Sequence, residues 1–474
     1  MPWLVLLSAA ALYLSLGQGA LYGDGPGILL ELNEGRVFEN TAHYLHGPLV
    51  VGTLLLLNPL GFSLYQAALV CSALGTAVGV LCVYLASRKL LGDWRPAAWI
   101  AAMVATCPGV VFYATVVELH GPFFAFCGLV ALALTNLALR PTMGNAVVLG
   151  VSTAVASLAH ATGHLLPVVA LVLCPVLSCG RGTSVEARRW LMLTGVVCLV
   201  HLTLAVSVLG LLRLMGLGGA SVGFAAGHLL QNVSVYWHRL VSCPKTFLYE
   251  WLLPFFPVSI ACVVAVAVAD AGARRLLAGL YLLVAFYVLP TAILVDGNEF
   301  GAYFLPFAWP AAILATRMFS PQWLLLFTVL GLCMAVPRLQ ARETIHDTRR
   351  AVAAIAELQP AENVFLLAVT RADLELYFVG MPDADFVYLA VLAQHDESEV
   401  RASLPVLDQL LGHAMASGQI VLLTEAGREL LLSAEAAAVS PAAAIVAAHL
   451  MAAYRPVAVR RAGFRGWQLT PLKR

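Results

Sequence analysis

Apolar runs long enough to cross a bilayer recur along this chain, and they constrain its fold more than any other feature. A spanning helix needs about 20 predominantly apolar residues. Such runs fall at about 3–21, 64–87, 96–116, 121–139, 143–160, 163–179, 190–213, 251–269, 276–295, 302–316 and 322–337. Backbone in hydrocarbon must satisfy its own N–H and C=O groups, so runs of this kind fold as helices. The expected fold class is therefore a polytopic α-helical membrane protein with about 11 transmembrane helices. Composition agrees: 61% of residues are hydrophobic and 11% charged, with a mean hydropathy of +0.87. A soluble globule carries about 25% charged residues. The formal net charge of +1 gives no sign of a nucleic-acid partner.

Charge divides the chain. From Arg338 onward there are 13 basic and 15 acidic residues, as many as in the much longer preceding part. This predicts a membrane domain over 1–337 and a smaller polar domain over 338–474. The polar part alternates between helical and strand patterns. Helices are expected at 341–358, 373–379, 398–416, 425–436 and 441–453, and strands at 364–369, 385–389 and 419–424, with a terminal hairpin at 457–460 and 464–469. That is a small α/β domain. It has no glycine-rich phosphate loop, so no nucleotide is assigned to it.

Residues 3–20 resemble the apolar core of a signal peptide, but Met1-Pro2-Trp3 supplies no basic region, so a retained first helix is expected. The ten cysteines lie almost wholly in apolar stretches and form no CxxC pair, which supports neither a disulfide framework nor a zinc site.

Orientation follows from basic residues. One set of alternate loops carries ten Lys and Arg, the other only Arg36, Arg213, Arg239 and Lys245. The first set is assigned to the cytoplasm. With an odd number of spans the C-terminal domain is then extracytoplasmic. The same assignment gathers Asp24, His43, His46, Glu118, His120, His160, His164, His228, His238, Asp296 and Glu299 on the outer side. Ionisable groups near hydrocarbon are costly and by default functional. Residues 47–58 are apolar but too short to span, so an interfacial or re-entrant helix is expected there.

The order of these features resembles the GT-C glycosyltransferases, most nearly the bacterial relatives of protein O-mannosyltransferases. Gly23-Asp24 lies just after the first span. His46-Gly47-Pro48-Leu49 stands where the family has a His-Pro-Pro-Gly-Tyr-Pro segment, and Val117-Glu118-Leu119-His120 where it has an Ala-Glu-Val-Tyr turn. Tyr303-Phe304-Leu305-Pro306 matches a late Tyr-Phe-Leu-Pro. Two positions depart: Gly25 follows Asp24 where the family often has Glu, and Ala302 stands where relatives often have Arg. The resemblance covers about residues 1–337. It implies a membrane enzyme that takes a sugar from a polyprenyl-phosphate donor on the outer face. The acceptor is left open among protein, lipid and glycan hydroxyls, and the C-terminal domain is expected to be accessory.

Within that reading Asp24 is the expected general base of an inverting transfer, since an attacking hydroxyl must lose its proton. The competing reading is a Gly-Asp-Gly-Pro turn with Asp chosen for turn chemistry. Glu118 is the second candidate catalytic residue; it could instead cap the following helix. His43, His46, His120, Glu299, Tyr303 and Arg36 are candidate substrate-binding residues, with Arg36, Arg239 and Lys245 the outer cations for a lipid phosphate. No motif demands a cofactor. A divalent metal ion is the one these residues suggest, with His160 and His164 as ligands if one helix carries both. Asn232-Val233-Ser234 is a glycosylation sequon. Two other classes compete: a transporter, whose outer ionisable groups would line a substrate path, and a noncatalytic scaffold that keeps the fold without the chemistry.

Overall fold

The computed structural model describes all residues except 19–20, 39–42, 180–186, 216–232, 269, 296–298, 343–344, 390–396, 433–440 and 473–474. The described chain falls into two compact units, one of residues 1–18 and 22–341, the other of 19–21 and 342–474. His228, Asn232 and Asp296 lie outside the described residues.

Capping chemistry sets where the apolar runs become helices. In the first unit α1 is Pro2–Ser15, α2 Gly25–Asn33 and α3 His46–Leu57. Ser63 starts α4, Leu64–Leu91, with a capping box: its hydroxyl accepts the Gln66 N–H while the Gln66 side chain accepts the Ser63 N–H at 2.9 Å. Gly92, at φ +79°, ends that helix in the left-handed conformation. Asp93 then caps α5, Trp94–Thr106. α6 is Pro108–Thr115, bent 63° from α5, because Cys107 precedes a proline and is held out of the helical region. α7 is His120–Leu139, α8 Met143–Ala159, α9 Leu166–Cys179 and α10 Ala187–Leu214. α11 is Val258–Val268, α12 Ala271–Val295, α13 Ala308–Met318 and α14 Pro321–Arg342.

Each of the eleven expected apolar runs thus contains helix. Among the described residues, five helices are long and apolar enough to cross a membrane unbroken, or six if the bent α5–α6 pair is one span. The other runs are cut short by local chemistry. Pro306 and the 3₁₀ turn Ala302–Phe307 precede α13, and a π-helical turn, Phe247–Leu252, precedes α11. α3 has 12 residues, about 18 Å at 1.5 Å per residue, against a hydrocarbon core of about 30 Å. Its Leu55 and Leu56 are exposed.

Small residues let the central helices approach closely. α4 packs most extensively against α7. A Cβ at Gly128 would come 2.6 Å from the Gly79 carbonyl oxygen, and one at Gly79 would come 2.6 Å from that of Phe124. Backbone contact of this kind drives helix association where lipid offers no hydrophobic contrast. Polar ties add to it: Tyr13 donates to the Ala105 carbonyl at 3.0 Å, and the Trp309 indole to Ser87 Oγ at 3.0 Å. Leu129, Val148, Leu199, Leu202 and Leu282 are exposed on the outside of the bundle, as lipid-facing side chains would be.

The second unit carries a five-stranded sheet of order β2-β1-β3-β5-β4. β1 is Val364–Ala368, β2 Asp385–Tyr388, β3 Ile420–Thr424, β4 Tyr454–Arg461 and β5 Phe464–Pro471. β1 pairs in parallel with β2 and β3, with Leu366 opposite Phe386 and Leu422. β5 runs antiparallel to β3 and β4, with Gln468 between Leu422 and Val457. Helices Ile345–Ala356, Arg371–Glu375, Glu397–Ala416, Glu425–Leu432 and Pro441–Ala453 follow the expected alternation.

The α4–α7 contact makes a direct prediction. Gly128→Leu should lower the temperature at which the detergent-solubilised protein loses its monodisperse state, since overpacking costs about 1–3 kcal/mol or more. Gly144→Leu, where a side chain meets open space, should not. Equal behaviour of the two variants would refute the packing argument.

Candidate active site

Four turns of the first unit, with the segment at His43 just before α3, converge on one cavity of about 270 Å³. Residues 22–24 lead into α2, 117–119 lead into α7, 160–162 follow α8, and 299–303 precede α13. Asp24, His43, Glu118, His120, His160, Thr162, Glu299 and Tyr303 line it, with Tyr287 and Thr291 of α12.

Asp24 sits at the N-cap of α2, yet its side chain makes no capping hydrogen bond. The turn there is closed by backbone instead: the Gly25 N–H donates to the Tyr22 carbonyl at 2.8 Å. The carboxylate is therefore free of the turn duty that would explain it without function. Both flanking glycines are explained by the 117–118 turn. A Cβ at Gly23, whose φ is +49°, would overlap Glu118 Oε1, and a Cβ at Gly25 would overlap the Val117 carbonyl oxygen.

Glu118 is buried and fully engaged. Its Oε1 accepts the Asp24 N–H at 3.1 Å, and its Oε2 accepts the Leu119 N–H and lies 3.0 Å from His120 Nδ1. An ionised carboxylate can only accept, so Nδ1 of His120 carries the proton. Nε2 of His120 is buried with no hydrogen-bond partner. Burial by itself would raise the Glu118 carboxyl; the His120 ring and the two N–H donors hold it below its ordinary value.

The other carboxyls behave differently. Burial, with Glu118 nearby, raises Asp24, and His120 opposes the shift. Glu299 is pushed up to about 7 by burial, His120 working against the push and Glu118, Asp24 and Glu250 adding to it. His43 is lowered to about 3 by burial and the neighbouring His120, so its ring is neutral. His43 and His120 both pack against His160 in tilted arrangements, with centroids 4.6 and 4.5 Å apart, and Tyr303 stands 5.9 Å from His160. The result is an aromatic wall facing two carboxyls.

No protein-family model and no curated protein sequence matches the chain. Solved structures match it in shape, two of them structures of ArnT. ArnT from Cupriavidus metallidurans bound to undecaprenyl phosphate superposes with a TM-score of 0.61, and the same protein in the apo state with 0.59. Both are 15% identical to this chain, and each match covers 98% of this chain and 97% of the other. The chain has the GT-C fold. That is the fold to which the order of the sequence motifs pointed.

Within this fold the expected site residues separate into two groups. Asp24, His43, Glu118, His120, His160, Glu299 and Tyr303 come together. His46 is buried at the start of α3 but does not line the cavity, and Arg36 is paired with Glu34 at 2.5 Å, also away from the lining. Arg239 lies over the Tyr236 ring, 4.0 Å from its centroid. Among the described residues no Lys or Arg lines the cavity.

The metal-ligand expectation for His160 and His164 rested on a continuous helix. His160 instead ends α8 in extended conformation, φ −157° and ψ +137°, and bonds Thr162 Oγ1 at 2.7 Å. His164 turns to His201, Nδ1 to Nε2 at 3.1 Å. Among the described residues no three His, Cys, Asp or Glu side chains are grouped to hold a metal ion.

Sequence reasoning missed Glu250 and Tyr113. Glu250 is fully buried and accepts the N–H groups of Glu299, Phe300 and Gly301 at 2.8, 3.1 and 2.7 Å. The Tyr113 hydroxyl donates to the Glu299 carbonyl. A lone carboxylate inside Phe247-Leu248-Tyr249-Glu250-Trp251-Leu252 was the available signal.

The raised Glu299 carboxyl has a stability consequence. It takes a proton more readily in the folded than in the unfolded chain, so the folded state is favoured below the ordinary value of 4.5 and loses that advantage as pH rises to about 7. The thermal midpoint of the parent protein should therefore fall relative to Glu299→Gln across that window and run parallel above it. Parallel curves throughout would show that Glu299 has an ordinary carboxyl.

Proposed function

We propose that this chain is a membrane glycosyltransferase that moves a sugar from a polyprenyl-phosphate donor to an acceptor hydroxyl on the extracytoplasmic face. One observation carries the reading: in a GT-C fold, the Asp24 carboxylate has no capping duty and opens on a cavity walled by histidine and tyrosine rings. Support for a lipid carrier comes from ArnT of similar fold, which was solved with undecaprenyl phosphate.

The chemistry assigned is inverting. The acceptor hydroxyl gives its proton to Asp24 as its oxygen bonds to the anomeric carbon. The bond from that carbon to the phosphate oxygen breaks, and the electron pair leaves with the carrier phosphate. Raising the Asp24 carboxyl makes it a better base near neutral pH. With no Lys or Arg among the described lining residues, His120 as an imidazolium, its Nδ1–H held by Glu118 and its Nε2–H without a protein partner, is the group assigned to the leaving phosphate. The rings of His160 and Tyr303 provide apolar faces for the sugar. Glu118 holds Asp24 and His120 at fixed separation and takes no proton itself. The C-terminal unit is assigned to acceptor choice, and the acceptor is a protein, lipid or glycan hydroxyl.

Asp24→Asn keeps the shape and removes the basicity. Turnover with labelled polyprenyl-phosphate sugars should fall about 10²–10⁴-fold, the usual effect of losing a general base, with donor binding nearly unchanged. Near-normal turnover would remove Asp24 from the mechanism. Donor-independent flux of a solute into sealed vesicles would favour the transporter instead.

The orientation has its own test. Ser417→Cys, at an exposed position after Glu397–Ala416, should react with an impermeant thiol reagent in intact cells, above the level of the native cysteines. Labelling only after permeabilisation would place the C-terminal unit in the cytoplasm.

A further inference from the structure

We propose that Glu250 is a positioning residue of the transfer site, acting through Glu299; the proposal rests on the transfer reading above. Its carboxylate receives the N–H groups of three consecutive residues, Glu299, Phe300 and Gly301. Successive N–H groups converge on one anion where the backbone curls into a nest. Here Phe300 at φ +44° and Gly301 at φ +85° supply the curl. A non-glycine residue in that region is uncommon and persists where its surroundings impose it. A side chain at Gly301 would run into Pro254 and Phe255.

The second anchor lies on the opposite side of the same residue. The Tyr113 hydroxyl donates to the Glu299 carbonyl, and the Tyr113 ring packs 4.8 Å from that of His120. Both backbone polar groups of Glu299 are thus tied to buried side chains. Its own carboxyl is left to line the cavity with Asp24. Glu250 comes from the π-helical turn Phe247–Leu252, and such turns are frequent at functional sites. It does not line the cavity itself, so it touches no substrate and acts by placing one that does.

Glu250→Gln is nearly isosteric but turns an NH₂ donor toward at least one backbone N–H. Hydrogen exchange at residues 299–301 in the full-length protein should quicken. The value of kcat should fall by up to about 10²-fold, as a small misplacement near the chemistry does, while donor Kd holds. A residue acting only through Glu299 should add nothing once Glu299 is gone, so Glu250→Gln with Glu299→Gln should be no slower than Glu299→Gln alone. If Glu250→Gln does not survive purification, Glu250→Asp withdraws the charge by one methylene and is read in the same way. Unchanged exchange at 299–301, or losses that multiply in the double variant, would overturn the proposal. Failure of the parent protein to use any polyprenyl-phosphate sugar would overturn the transfer reading and the catalytic role of Glu250 with it; the exchange result, which needs no turnover, tells the two failures apart.

Discussion

The candidate site hangs on one buried carboxylate. Glu118 ties the Asp24 backbone, the start of α7 and the His120 ring to a single point. Removing an ion of this kind from water is expensive, and the expense is met only when donors surround it. Three donors do so here, and each comes from an element the site needs. The flanking glycines follow from the same contact, because any side chain at Gly23 or Gly25 would push the two turns apart. Gly-Asp-Gly is thus a packing requirement around Glu118 as much as a turn signal.

The cavity's electrostatics depend on that arrangement. With Glu118 ionised and its neighbours short of solvent, further negative charge is disfavoured, and both Asp24 and Glu299 are raised. His120, hydrogen-bonded to Glu118, is the group that moderates them, and the absence of Lys or Arg from the described lining leaves it without a stronger rival. A strongly cationic wall would hold both carboxyls ionised at all physiological pH values and weaken them as proton acceptors. The site therefore holds Glu299 near the range where a proton can move either way and shifts Asp24 in the same direction.

Much of the fold was legible because the bilayer leaves few choices. Apolar runs must be helices, and each of the eleven expected runs contains one. In the second unit the switch between two-residue and helical periodicity placed every strand within a few residues. What periodicity does not show is where a helix breaks. The bend at Cys107 and Pro108 and the turn at Ala302–Phe307 shorten runs whose composition alone reads as continuous. The same blindness produced the metal expectation: His160 and His164 share a helix face only if α8 continues, and it ends at Ala159. Sequence also does not reveal that Arg36, an outer cation, pairs with Glu34. Glu250 was missed because it lies at the edge of an apolar run and contacts residues about fifty positions away.

The carboxylates divide by what receives their lone pairs, and this separates structural from functional better than position does. Glu118 takes two backbone N–H groups, and Glu250 takes three. Asp373, in the second unit, takes those of Val369 and Thr370 and the hydroxyl of Thr424. All three are buried, and all three close turns that glycine or proline chemistry alone would leave loose. Asp24 and Glu299 sit one turn away from such anchors and have their backbones held by them, yet their own oxygens face the cavity. In this cavity, then, one buried carboxylate holds the backbone of each carboxylate left open. That pairing is costly as pure architecture, because each holding carboxylate must itself be kept out of water. It is coherent if the open member of each pair has a proton or a hydroxyl to handle.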